Sequence, residues 1–190
     1  MGKFTVAVDV DCVLNNLMDK AIEMYNTKYD ASLTADTFHE YDIFKCLPHE
    51  DAIKFTDLFK EHDLWASLTP IKHAQWGVKQ LIERGYDVYF ATATHHSNFS
   101  WKVEWIKHYF GMVPEKNIIC IHNKGLLRAD VLIDDCIDNL LASRWYERVC
   151  FDYPWNRKIW DEVYGIYRVH NWLEVIDAVN EVFDKHIVGG

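Results

Sequence analysis

The sequence predicts an α/β domain built on a doubly wound parallel sheet, with a small helical insertion after its first strand. Three observations carry that reading. Short apolar runs rich in β-branched and aromatic residues alternate with longer helical stretches. The apolar runs are nearly continuous, as strands buried on both faces require. From Leu17 to Leu68 the alternation lapses and only helical periodicity remains.

The strand candidates are residues 4–10, 87–91, 117–121, 131–133, 149–151 and 166–169. Helical patterns fall at 73–84, stopped by Gly85, at 100–110, stopped by Gly111, at 138–145 and at 172–183. Asn171 caps the last of these, with Glu174 three residues on in a near capping-box arrangement. Inside the lapse, residues 18–29 and 51–61 read as helices around an irregular aromatic stretch at 38–47. The division is therefore a core of residues 1–16 and 69–190 with a helical cap at 17–68, packed as a lid over the strand ends.

Composition narrows the chemistry. The chain has 190 residues, enough for one full domain, and a formal net charge of -9. That balance argues against a protein gripping a nucleic-acid polymer, which needs a basic stripe, but one phosphate needs only a local cation and a few N–H donors. Five Cys without a C-x-x-C pair read as reduced thiols of a cytoplasmic protein. No apolar run is long enough to span a bilayer, and charged residues arrive too early for a secretory leader. Aromatic residues at 15%, eight of them Trp, are mostly core, and an excess often lines a pocket for a flat ligand.

The candidate chemistry sits at strand ends. In VAVDVDCVL (6–14) an apolar strand runs into Asp9 and Asp11, whose side chains leave on the same side. Two such carboxylates invite a divalent cation or a shared proton, although a bare D-x-D is as often a solvated acidic turn. A second apolar strand ends in Asp134-Asp135. If the two strands are neighbours, Asp9 and Asp11 meet Asp134 or Asp135, a set of hard oxygen donors suited to Mg²⁺. Thr92, at the end of YFATAT, offers a hydroxyl and nearby backbone N–H groups for a phosphate, and Lys124 in HNKG offers one ammonium.

Taken in order, D-V-D-C-V at 9–13, Thr92, Lys124 and the acidic pair 134–135 resemble the four motifs of the haloacid dehalogenase-like phosphatases. Residues 68–93, 105–111 and 123–135 resemble the 5'(3')-deoxyribonucleotidase family, and FDYPWNR (151–157) with RVHNWLEV (168–175) is similar to the tail of its bacterial and phage members. The resemblance implies a Rossmann-like core with a helical cap after the first strand. It implies Asp9 as nucleophile, phosphorylated in turnover, and Asp11 as general acid/base. Mg²⁺ is then held by Asp9, by the Asp11 carbonyl and by the acidic pair, Asp134 being favoured over Asp135. Thr92, with Ala93 after it, and Lys124 hold the phosphate. Cys12 stands where the family has Gly, and Ala93 and His96 stand where its members have Ser and Lys.

The implied reaction is Mg²⁺-dependent hydrolysis of (deoxy)ribonucleoside monophosphates. Leu17, Tyr41, Phe44, Phe59 and Trp65 are candidates to sandwich the base, although aromatic stripes on short helices are usually core. His95 and His96 are a candidate second contact to metal or phosphate, although a solvated helix-entry loop is the commoner role for such a pair. Trp155, Asn156 and Arg157 either reach the substrate or form a surface turn. The rival readings are a phosphatase for a sugar phosphate or a polynucleotide end, and a nucleotide-binding module without turnover. A chain of this size is also compatible with a homodimer.

Overall fold

The computed structural model describes residues 3–159 and 161–188. The chain forms strands β1 (Thr5–Val8), β2 (Asp87–Thr92), β3 (Ile118–Cys120), β4 (Val131–Asp134), β5 (Glu147–Phe151) and β6 (Ile166–Val169). All are parallel, in the order β3-β2-β1-β4-β5-β6. The order reverses between β1 and β4, and the crevice beyond the carboxyl ends of such a pair is where ligands bind in open α/β sheets. The register pairs Val8 with both Phe90 and Ile133, so Asp9, Ala91 and Asp134 follow side by side at one level.

Burial on both faces explains the apolar strands. Val6, Val8, Phe90, Val131, Ile133 and Val149 are all completely buried, and each such side chain contributes roughly 1.5–3 kcal/mol on leaving water. Helices α4 (Ala74–Glu83), α5 (His96–Tyr109), α6 (Ile137–Leu141), α7 (Asp161–Tyr164) and α8 (Trp172–Val188) connect or flank the strands. Trp172 of α8 is fully buried and donates its indole N–H to the carbonyl of Val13 at 2.8 Å. It lies so close to α4 that a Cβ at Gly77 would stand 2.3 Å from its ring. Asn171 accepts from the backbone N–H groups of Leu173 and Glu174 at 2.9 and 3.1 Å, the cap that the sequence predicts.

Between β1 and β2 the chain is helical: α1 (Leu17–Tyr29), α2 (His49–Leu58), α3 (His62–Ala66) and two short 3-10 turns. Helix α1 buries Leu17, Ala21, Ile22 and Tyr25, one face at helical spacing. It ends at Asp30, whose left-handed backbone returns an N–H to the carbonyl of Asn26. Phe38, Phe55, Leu58 and Leu64 from this stretch belong to the same hydrophobic cluster as Val6, Val8 and Phe90.

Some boundaries differ from the sequence reading, for identifiable reasons. Strand β1 stops at Val8 because the Val10 carbonyl turns back to accept from Leu14 and Asn15. The helix expected at 51–61 breaks after Leu58, where the Phe59 carbonyl leaves the helix to accept from Trp65 Nε1 and Asn98 Nδ2, both at 2.9 Å. The helix expected at 138–145 ends at Leu141: Arg148 takes the carbonyls of Leu140 and Ser143, and the Tyr146 hydroxyl takes that of Asn139. Helix α5 begins at His96, four residues earlier than expected, with the His95 side chain accepting from Ser97 N–H. Among the described residues no helix is long and apolar enough to cross a membrane.

Candidate active site

The loop after β1 is shaped to present two carboxylates. Asp9 continues the strand far enough for its N–H to reach the Ile133 carbonyl at 2.9 Å. Cys12 then adopts φ 60°, the left-handed region that favours glycine, which accounts for the tight return. Asn15, 1% exposed, holds the turn: its Oδ1 accepts from Cys12 N–H and Leu17 N–H, and its amide donates to Asp11 Oδ1 at 3.0 Å.

Lys124 reaches the same point from a 3-10 turn (Lys124–Leu126) ahead of β4. It is 1% exposed, and its Nζ lies 2.6 Å from Asp9 Oδ1 and 2.6 Å from Asp134 Oδ2. The turn requires the glycine that follows, because a Cβ on Gly125 would sit 2.8 Å from the Ala142 carbonyl oxygen. Burial works against the Lys124 charge, but the carboxylates of Asp9 and Asp134 outweigh it and hold the ammonium above its ordinary value.

A second ammonium stands opposite. Lys102 of α5 is 2% exposed, and its Nζ contacts Asp11 Oδ2, Thr92 Oγ1 at 2.9 Å and the Ala93 carbonyl at 3.4 Å. Its ammonium also lies over the Trp65 ring, 5.2 Å from the centroid.

The acidic pair divides its work. Asp134 is fully buried and its oxygens are occupied by Lys124, by Cys136 N–H at 2.8 Å and by the Asn139 amide. Asp135 lines the cleft and accepts one hydrogen bond on Oδ2, from Trp155 Nε1 at 2.9 Å. The expected preference for Asp134 as the ion's direct partner thus meets a side chain already committed to protein donors, and Asp135 is the one with an open oxygen. One oxygen from each of Asp9, Asp134 and Asp135 lies within 4.8 Å of the others. Burial pushes the Asp9 and Asp135 carboxyls above the usual carboxylate range; for Asp9, Lys124 opposes the shift, while neighbouring carboxylates add to it in both. Burial likewise holds the Cys12 thiol well above its usual value, so it stays neutral beside them.

These groups form the floor of a cleft of about 360 Å³. Of the predicted residues, Asp9, Asp11, Lys124, Asp135, Ala93, Leu17, Tyr41, Phe59, Trp65, His95 and Trp155 line it, joined by Asn98, Lys102 and Phe38. Thr92 is fully buried just beneath, its hydroxyl accepting from Lys102. Phe44 and His96 lie outside the cleft lining. Phe44 sits in the 3-10 turn Ile43–Lys45, exposed and packed against His49, and the His96 ring lies tilted against that of His95 with centroids 4.0 Å apart. Arg157 pairs with Asp152 at the surface, whereas Asn156 is buried and bonds the Asp135 carbonyl.

Sequence reasoning did not find Lys102 or Asn15. The signal for Lys102 was present: Asn98, Lys102, Trp105 and Ile106 are the buried residues of α5, spaced as one helical face. Starting the helix at Ser100 hides Asn98 and makes Lys102 look like an exposed end residue.

Comparison with known proteins agrees with this geometry. Residues 3–186 match the family described as 5' nucleotidase, deoxy (pyrimidine), cytosolic type C protein. A 5'(3')-deoxyribonucleotidase of Bacillus subtilis (strain 168) is 32% identical over 175 residues, covering 91% of this chain and 96% of that one. A 5'(3')-deoxyribonucleotidase of Clostridium acetobutylicum is 33% identical over 135 residues, 71% of this chain and 74% of that one. Among solved structures, a HAD family hydrolase from Deinococcus radiodurans R1 with bound phosphate and sodium superposes with TM-score 0.66 at 13% identity, covering 96% and 97% of the two chains. A haloacid dehalogenase-like hydrolase from Streptococcus pneumoniae gives TM-score 0.62 at 13% identity, over 93% and 98%. The fold is that of the haloacid dehalogenase-like hydrolases, and the chain belongs to the 5' nucleotidase, deoxy (pyrimidine), cytosolic type C family.

Proposed function

We propose that the chain is a Mg²⁺-dependent phosphomonoesterase that cleaves (deoxy)ribonucleoside monophosphates to nucleoside and inorganic phosphate through a phosphorylated Asp9. The observation that carries this reading is the floor of the cleft: two buried ammonium groups, Lys102 and Lys124, facing Asp9 and Asp11 beneath an apolar wall. Buried cations at the bottom of a partly aromatic cleft suit a ligand with an anionic end and a flat apolar end.

The residues present fit a divalent cation. With all four ionised, the carboxylates of Asp9, Asp11, Asp134 and Asp135 outnumber the two ammonium groups by two charges, the amount one divalent cation would offset. All the donors are hard oxygens, as Mg²⁺ prefers, and Asp9 and Asp135 are the side chains with room for it. When bound, Mg²⁺ supplies the charge that screens one anion's approach to another.

The chain's own residues do the rest. Asp9 attacks phosphorus and the ester oxygen departs, taking a proton from Asp11. Water then attacks the phosphorus of the acyl-phosphate, giving up a proton to Asp11, and releases inorganic phosphate and the Asp9 carboxylate. Lys124 holds Asp9 in line, and Lys102 with the Thr92–Ala93 turn receives the phosphate oxygens. Leu17, Tyr41, Phe59 and Trp65, together with Phe38, form the wall against the base.

The test is phosphate release from deoxy- and ribonucleoside monophosphates and a generic aryl phosphate, with Mg²⁺ or chelator, for wild type and Asp9→Asn. Metal-dependent release favouring nucleotides, abolished in the variant, is expected. Turnover of the aryl phosphate alone would retire the nucleotide assignment.

A further inference from the structure

Trp155, Asn156 and Arg168 take no part in the roles above, yet they form a continuous chain of hydrogen bonds ending on Asp135. Trp155 donates its indole N–H to Asp135 Oδ2 at 2.9 Å. Its ring lies parallel on Tyr153, centroids 4.4 Å apart and planes 5° from coplanar. Asn156, 1% exposed, fixes the backbone beneath, its amide donating to the carbonyls of Asp135 at 2.9 Å and Phe151 at 2.8 Å. Arg168 holds Asn156 in turn, donating to its Oδ1 at 2.5 Å and its carbonyl at 3.0 Å, while Asp152 and Asp161 brace the guanidinium.

The chemistry of the end group is specific. An indole N–H is a donor only, so the atom it meets must be an acceptor oxygen. It is also neutral. Lys124 spends its positive charge on Asp134, whereas the indole steadies Asp135 without cancelling the negative charge a cation needs. With Oδ2 engaged by the indole, Oδ1 is the Asp135 oxygen that carries no hydrogen bond among the described residues, on a side chain that lines the cleft.

We propose that Trp155 is a positioning residue for the cation site, holding the Asp135 carboxylate in the orientation that binds Mg²⁺, with Tyr153, Asn156 and Arg168 as its support. This rests on the Mg²⁺ reading above. Partners that orient a ligating carboxylate typically contribute 10–100-fold to metal affinity.

Two measurements on the whole protein test it. Calorimetric titration of Mg²⁺ into substrate-free wild type and Trp155→Phe is expected to show affinity about 10-fold weaker in the variant. Saturating Mg²⁺ should return its kcat close to wild type. In ¹⁵N-labelled protein, the indole signal lost in Trp155→Phe is expected to be the one that shifts when Mg²⁺ is added to wild type. The remaining indole signals, from a chain with eight Trp, report whether the variant is folded. If Trp155→Phe does not fold, Trp155→His carries the comparison. Its imidazole offers a ring N–H on a smaller ring, and affinity several-fold weaker than wild type, by less than about 10-fold, is expected. Unchanged Mg²⁺ affinity in a folded variant overturns the proposal alone. A wild type that binds no Mg²⁺ overturns the metal reading and the proposal with it.

Discussion

Lys102 is buried to 2% exposure, with its charge balanced by Asp11 and its remaining donors on Thr92 and Ala93. Replacing it by Met keeps the length and removes the charge. Lys102→Met is expected to lower kcat/KM by about 100-fold, the scale of losing one preorganised donor to a phosphoryl group, with little change in thermal stability. Steady-state kinetics beside a melting curve check this, and a variant within a few-fold of wild type would remove Lys102 from the phosphate site. Asp9, Asp11, Lys124 and the acidic pair were legible in the sequence because each follows or precedes an apolar strand, where side-chain direction has a fixed period. Lys102 was not, since a lysine on a helix normally points to water and only the packing of α5 against Trp65 and Thr92 draws it in. Equally hidden was that Lys124, Cys136 N–H and the Asn139 amide occupy the Asp134 oxygens, because those partners come from loop and helix geometry beyond the strand.

Elements were read correctly where periodicity alone decides and misread where one side chain ends them. Strand β6 and the start of α8 match the sequence expectation, whereas α6 loses its last turn to Arg148 and Tyr146, residues beyond the predicted helix. The segment after β5 depends on a charge cluster of the same kind. Burial alone would raise the Asp152 carboxyl, but Arg157 and Arg168 together bring it below the usual range. A carboxyl whose folded value is depressed stabilises the fold above its unfolded value, near 3.9, and loses that contribution as pH falls through the folded one. Asp152→Asn is therefore expected to cost about 2 kcal/mol at neutral pH, and the gap to wild type should close below about pH 4. Urea unfolding at both pH values measures it; a gap independent of pH would contradict the assignment.

At the scale of the molecule, the fold class and the helical insertion followed from the alternation of apolar runs, while the strand order did not, because near-identical buried strands carry no label of their neighbours. Nor did the sequence show how fully the insertion joins the core: Phe38, Phe55 and Leu64 share one hydrophobic cluster with β1 and β2, so the wall of the cleft and its floor are packed together. That arrangement places Asp9 at the bottom of a walled site, 2.6 Å from a buried lysine, with Asp11 two residues on. The most direct test is an acid quench during a single turnover of a deoxyribonucleoside monophosphate with Mg²⁺, followed by peptide mass spectrometry. One phosphoryl group on the peptide containing Asp9, labile to hydroxylamine and absent from Asp9→Asn, is the expected result. Full phosphate release with no phosphorylated Asp9 at any quench time, or release that persists in Asp9→Asn, would contradict it.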